Sequence, residues 1–291
     1  MPIDAAKALA AEPRSGVITW DHKDVQLYHL GIGAGAHPDK DSPATDPDEL
    51  RYTLESRLHV LPSFATVAGG GKPGVTGGLS MPGVEVDLSR VLHGGQSLTV
   101  HRPLPVAGTA TATDRIAAVY DKGTAAILVM RTEVADADGP LWTNDARIFV
   151  RGEGGWGGDR GPSRSLDAPS GEPDRTVERP LRGDQALLYR LSGDWNPLHA
   201  DPEFAKLAGF ERPILHGLCT YGITLKAVVD TLLGGDVTRV RSYATRFAGV
   251  VYPGETLRIR MWRGDGAVRV AVSAVERRDV PVLADTVVQH V

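Results

Sequence analysis

The stretch Tyr189-Arg-Leu-Ser-Gly-Asp194-Trp-Asn196-Pro-Leu-His199-Ala-Asp201-Pro202 brings a carboxylate, an amide and an imidazole close together in the chain. Such a trio can grip one water molecule and move its protons, which is what general acid/base chemistry requires. Gly193 permits a sharp turn and Pro197 keeps Asn196 out of the helical region, so residues 194–199 read as an irregular loop on which the three groups converge. The loop is held on its far side as well, because Asp201 caps a short helix with Pro202 at its first position and Gly209 past its end. A second motif, Pro213-Ile-Leu-His216-Gly217-Leu, opens a longer helix. The first N–H groups of a helix have no partner within it and its dipole makes that end partly positive, so an oxyanion is welcome there. Gly217 has no side chain to keep a substrate carbonyl away from its N–H.

These groups need a frame. From Leu215 to Leu233, closed by Gly234-Gly235, apolar residues go most of the way round a helical period, which marks a helix surrounded by protein. The stretches 237–251, 256–263, 267–277 and 282–288 alternate apolar and polar residues and predict a meander of antiparallel strands. A similar series, 109–119, 124–134 and 141–150, precedes a Gly- and Pro-rich break with few aliphatic residues. The chain therefore divides into a unit at 1–150, a linker at 151–175 and a unit at 176–291. Asp24 to Gly33 and Asp184 to Asp194 share an acid, an apolar stretch, Tyr-x-Leu and a glycine turn, so the units look duplicated. One buried helix wrapped by a long antiparallel sheet is the hotdog architecture, and the expected fold class is α+β, a double hotdog with a central helix in each unit.

Tyr-x-Leu-Ser-Gly-Asp-x-Asn-Pro-Leu-His followed by Pro-Ile-Leu-His-Gly-Leu-Cys resembles the hydratase 2 motif of the (R)-specific 2-enoyl-CoA hydratases, the MaoC-like branch of the hotdog fold. The likeness is strongest over 189–222, and the two-unit layout resembles the duplicated form of that family along the whole chain. It implies that Asp194, Asn196 and His199 hold the reacting water, that Gly217 N–H forms the oxyanion hole, and that the first unit makes room for a bulky acyl chain. The activity implied is reversible hydration of a trans-2-enoyl-CoA to a (3R)-3-hydroxyacyl-CoA, with an acyl-CoA thioester as substrate and no cofactor beyond it. Aligning Leu30 with Leu191 sets Gly33, Gly35 and Pro38 opposite Asp194, Asn196 and His199, so the first unit should be chemically silent. The stretch 54–67, interrupted by Pro62, reads either as a broken helix lining an acyl tunnel or as an irregular core segment. Lys206, Arg212 and Arg246 lie in segments near the motif and are candidates for the coenzyme A phosphates. Two other readings compete: a hotdog thioesterase, and an acyl-CoA binding module without catalysis.

Composition narrows the field. With 32 Lys plus Arg against 36 Asp plus Glu, the net charge of -4 offers no broad basic field, so nucleic acid is not an expected partner. The single Cys219 rules out an intramolecular disulfide and a multi-cysteine zinc cage. No apolar run approaches the roughly 18 residues that span a bilayer, the amino end lacks a signal-peptide pattern and Gln289-His290-Val291 carries no peroxisomal signal, so no membrane partner and a cytoplasmic location are expected. Gly31-x-Gly33-x-Gly35 leads into Pro38 rather than a helix and is not a dinucleotide loop. Gly71-Lys72 lacks the Ser or Thr of a phosphate loop, and Gly78-Leu-Ser80-Met is not a nucleophile elbow. His22, His29, His37, His59, His101 and His290 show no metal-ligand spacing, and Leu92-His93-Gly94-Gly95-Gln96 reads as structural, so no metal is expected. Sheet edges and the family resemblance together suggest a homodimer.

Overall fold

The computed structural model describes residues 3–35, 46–70, 79–87, 90–162, 166 and 169–291. His37, Pro38, Gly71-Lys72 and Gly78 lie outside the described residues. The first half runs α1 (Ala5–Leu9), β1 (Arg14–Trp20), α2 (His22–Gly31), α3 (Pro47–Leu50), a small hairpin of β2 (Leu79–Met81) and β3 (Val84–Val86), then β4 (Val91–Val100), β5 (Gly108–Asp121), β6 (Ala125–Asp136) and β7 (Gly139–Arg151). The second runs β8 (Arg175–Pro180), α4 (Gln185–Tyr189), α5 (Pro202–Leu207), α6 (Gly217–Leu232), β9 (Val240–Phe247), β10 (Thr256–Gly264), β11 (Ala267–Ala274) and β12 (Val280–His290).

Ten of these strands form one antiparallel sheet in the order β1-β5-β6-β7-β4-β9-β12-β11-β10-β8. Read outward from its middle, β4-β7-β6-β5-β1 matches β9-β12-β11-β10-β8 strand for strand, so the duplication seen in sequence is a duplication of topology. The halves join where β4 pairs with β9, Gln96 opposite Thr245 and Leu98 opposite Tyr243. This pairing gives each half-sheet a neighbour at an edge that would otherwise present unpaired N–H and C=O groups. The result is the double hotdog.

Helix α6 is its axis, with the unbroken run from Cys219 to Val229 buried. It packs against β9, β10 and a 3-10 turn at Pro62–Thr66. Tyr221 and Tyr243 stack at 3.8 Å, and each hydroxyl donates to the other's main-chain oxygen, at 2.9 and 3.2 Å, which pins the helix to β9. Gly222 sits where α2 crosses closely; a Cβ there would lie 2.5 Å from Tyr28 Oη. Lys226 is buried in this helix and its Nζ is held by Glu49 Oε1 at 2.7 Å and Asp230 Oδ2 at 2.8 Å. A buried ammonium is tolerable only when paired in this way, and Glu49 belongs to the first half, so the pair also fixes one unit on the other.

The first half has no counterpart of this length among the described residues. Where its central helix was expected, the chain makes α3 and two 3-10 turns, Glu55–Arg57 and Pro62–Thr66. Pro47 and Pro62 each begin a short turn, and Arg51, Glu55 and Arg57 break any apolar stripe. Of the two readings of 54–67, the irregular core segment is what the chain builds, with Leu58, Val60, Leu61, Phe64 and Ala65 buried in the core and none of them lining the cavity at Asp194. Several regular elements escaped the sequence reading, among them the strands β1, β4 and β8, and α2 where only a repeat signature was noted. The repeat itself stands, since α2 packs on α4 and Gln185 Nε2 donates to Gly31 O at 2.5 Å.

The glycine-rich run after β7 is clasped rather than slack. The Asp121 carboxylate accepts from the N–H groups of Gly123, Gly155, Gly157 and Gly158 at 2.7 to 3.3 Å. These donors hold its pKa down to about 2. A depressed carboxylate contributes stability that is present above its unfolded value and lost as pH falls through the folded one. Asp121→Asn should therefore melt below the parent at pH 7 and be cut faster by protease within 152–162, and the melting gap should close as pH approaches about 2. Equal melting curves at pH 7 would contradict the clasp.

Candidate active site

After α4 a 3-10 turn, Arg190–Ser192, ends at Gly193, whose φ of 122° only glycine adopts without strain. Asp194 follows and turns the chain by accepting Asn196 N–H at 3.2 Å. Asn196 then caps the turn Pro197–His199, its Oδ1 accepting Leu198 N–H at 3.0 Å, which leaves its Nδ2 as the free donor end. Asp201 caps α5 through Glu203 N–H at 2.8 Å and Phe204 N–H at 3.3 Å, with Pro202 at the first position and Gly209 in the left-handed region beyond. The expected loop, held at both ends, is what the chain builds.

His199 is buried and its Nδ1 lies 2.8 Å from Ile214 O. A carbonyl only accepts, so Nδ1 carries the proton and the neutral ring keeps its lone pair on Nε2. Burial lowers the pKa of this imidazole, with Asp194 and the Ile214 carbonyl pulling it back up. Asp194, His199 and His216 offer ligand atoms that all lie within 4.8 Å of one another, so the carboxylate and the imidazole face one place. That trio is also the group that could bridge a divalent ion, although one nitrogen on each ring is already committed to a main-chain carbonyl.

Gly217 is the first residue of α6, and among the described residues nothing accepts its N–H. It lines the same cavity of about 340 Å³ as Asp194, Asn196 and His199. A Cβ at Gly217 would stand 3.1 Å from the Phe247 ring, so glycine keeps this end of the helix open. The rest of the wall is largely apolar, with Leu198, Val250, Val282 and Leu283 from the second half and Val91 and Ile148 from the first. A water held by the polar loop would thus meet a ligand whose body is apolar and whose oxygen lies at the helix end.

The sequence reading missed three residues here. His93 was assigned a structural part; it does bond through Nε2 to Gln96 Oε1 at 3.1 Å, and it also stands in the cavity wall with its ring 4.9 Å from that of Phe247. Burial lowers its pKa. His216, read only as part of the motif around Gly217, is buried and stacked on His199. Phe247 carried no local signal, because it reaches the site through the register of β9. Of the three proposed phosphate ligands, none lines the cavity: Lys206 is exposed on α5, Arg212 lies over the Tyr252 ring at 4.8 Å, and Arg246 pairs with Asp285 at 2.6 Å. Cys219 is fully buried, as suits a packing residue.

Comparison with known proteins agrees in both halves. Residues 165–283 match the MaoC like domain and residues 18–152 the MFE-2 hydratase 2 N-terminal domain. Enoyl-CoA hydratase ChsH3 of Mycobacterium tuberculosis is 48% identical over 284 residues, 97% of each chain. The peroxisomal enoyl-CoA hydratase 2 of Arabidopsis thaliana is 40% identical across 91% of this chain and 89% of its own. A MaoC-like dehydratase from Phytophthora capsici superposes with a TM-score of 0.87 at 29% identity, covering 99% of this chain and 98% of that one. With near full-length relatives at this identity and the two domain models in succession along one double hotdog, the chain belongs to the MaoC-like family, in the arrangement that sets a hydratase 2 N-terminal domain before a MaoC-like domain.

Proposed function

We propose that the protein is a hydro-lyase that adds water to a trans-2-enoyl-CoA, reversibly, and that the product is the (3R)-3-hydroxyacyl-CoA. The observation that carries this reading is the shared cavity: Asp194 and His199 bring their ligand atoms within 4.8 Å of each other, and Gly217, whose N–H has no acceptor among the described residues, lines the same space. The relatives named as enoyl-CoA hydratases support the substrate class.

In this reading the acyl thioester lies along the apolar wall with its carbonyl oxygen at Gly217 N–H. Water sits between Asp194, the Nδ2 of Asn196 and the Nε2 of His199. Its oxygen bonds to C3 while Asp194 takes one of its protons, and the alkene electrons move toward the thioester oxygen. Gly217 N–H and the helix dipole stabilise that enolate-like charge, a contribution of about 3 to 4 kcal/mol by analogy with other oxyanion donors. The Asp194 and His199 pair then returns a proton to C2, so that H and OH have been added and no electrons have left. One face of the alkene receives the hydroxyl because the acid/base groups come from one loop. The first unit supplies wall and acyl space but no acid or base. Lys206, Arg212 and Arg246 are kept as proposed contacts for the coenzyme A phosphates, and a homodimer in the cytoplasm is the proposed working form. Among the described residues no helix is long and apolar enough to cross a membrane.

Three outcomes follow. Purified protein should remove the enoyl absorbance of crotonyl-CoA or a longer homologue and yield the (3R) alcohol by chiral analysis, and Asp194→Asn or His199→Ala should lower kcat by about 100- to 10,000-fold. Absence of turnover at every chain length, or release of free thiol instead, would contradict the reading. The reaction needs His199 neutral, and burial lowers its pKa, so kcat/KM should hold as pH falls through about 6.5 and drop only below it. A loss centred at or above that pH would count against His199. We also propose that no metal takes part, since the Nε2 lone pair is needed for water; full activity should survive EDTA treatment, and a loss restored by a divalent ion would refute this.

A further inference from the structure

We infer that His216 is a positioning residue for the acid/base pair: it sets the plane of the His199 ring and the main chain at Asp194, and takes no proton during turnover. This rests on the hydration reading above. The ring is 1% exposed and lies against His199 with centroids 3.8 Å and planes 30° apart. Tyr189 stands 4.9 Å away, so the ring is wedged within the core rather than presented to solvent. Its Nε2 lies 3.2 Å from the main-chain oxygen of Asp194, a bond that spans 22 residues and requires the proton on Nε2. Its Nδ1 is buried and has no partner among the described residues.

An unsatisfied buried nitrogen costs stability, and a phenyl ring would fill the same space without that cost. The residue is also the N-cap of α6, yet its side chain caps nothing. What it does instead is join the three parts of the site. It bonds the loop at Asp194, stacks on His199, and is the residue immediately before Gly217. The groups that face the imidazole pair are the Asp194 carboxylate, Arg190 on the preceding turn, Tyr189 from α4 and each ring to the other, with His93 across the cavity within reach of the Asp194 charge. A proton on His216 would set a cation face to face with His199 beside Arg190, and the new Nδ1–H would find no acceptor among the described residues. Burial and the neighbouring His199 hold its pKa well below the ordinary imidazole value, in keeping with a ring that stays neutral.

Two variants separate the donor from the ring. His216→Phe keeps an aromatic face and removes the N–H, whereas His216→Gln keeps an N–H for the Asp194 carbonyl and removes the face. With crotonyl-CoA, His216→Phe should lower kcat about 30- to 100-fold with KM within about twofold, because the pair is displaced while the binding wall is intact. His216→Gln should lose less, about tenfold, and its acid limb should move to higher pH as the polar side chain eases the burial of His199. Melting curves and circular dichroism confirm that each variant is folded. Parental kcat with an unshifted limb in both variants would overturn the inference, as would a Gln variant no better than Phe, the result expected if His216 carried a proton itself. The NMR titration of His199 gives a reading without turnover: its pKa should rise in the Gln variant, and an unmoved titration overturns the inference. Should the parent fail to hydrate any enoyl-CoA, the hydration reading falls, and the titration still decides the part played by His216.

Discussion

Helix α6 has no solvent face through its middle, and that constraint organises the molecule. A run of eleven consecutive buried residues, Cys219 to Val229, must be covered on every side. One curved half-sheet of five strands cannot do so alone. The second half covers the helix with β9 and β10, and the first completes the cover with α2 and the turn at Pro62–Thr66. Hydrophobic burial of this kind, about 1.5 to 3 kcal/mol for each large apolar side chain, is the main favourable term in the fold. The helix is less covered at its two ends, and its amino end, at Gly217 and Leu218, borders the cavity.

The chemistry inherits its geometry from this arrangement. The Ile214 carbonyl takes the Nδ1 proton of His199 and the Asp194 carbonyl takes the Nε2 proton of His216, so two imidazoles are locked in opposite tautomers by main chain alone. Burial keeps both neutral, at a cost that a surface loop would not bear. The site is therefore built from rigid parts, a capped turn and the start of a buried helix, which is what positioning a water to within a fraction of an ångström requires.

Much of this is legible in sequence because it is local. The spacing of Asp194, Asn196, Pro197 and His199, the cap at Asp201 with Pro202 and Gly209, and the all-round apolar pattern of α6 each declare themselves within a few residues. The meander strands β5 to β7 and β10 to β12 show their alternation equally well. What could not be read depends on distant partners. Helix α2 has a weak apolar stripe, since His29 is buried by a bond from Nδ1 to Tyr52 O rather than by hydrophobicity. Strand β4 carries a bulge between His93 and Gly95, which disturbs the period of two and hides both the strand and the entry of His93 into the cavity. The stacking of His216 on His199 joins residues 17 positions apart and has no sequence signature.

The two units show how a duplicated fold can lose the long axis of one half without losing the half itself. The first unit keeps every strand of the repeat while its axis is reduced to short turns. Its strands still do two things that the second unit cannot do for itself. Strand β4 occupies the edge of β9 along Gly95 to Thr99, and with β7 it brings Val91, His93 and Ile148 to the cavity that Asp194, Asn196 and His199 also line. The sheet is intact without a first-unit axis as long as α6, because β4 is bonded on both sides. The sheet is common to both halves, while the long buried axis belongs to the second alone among the described residues.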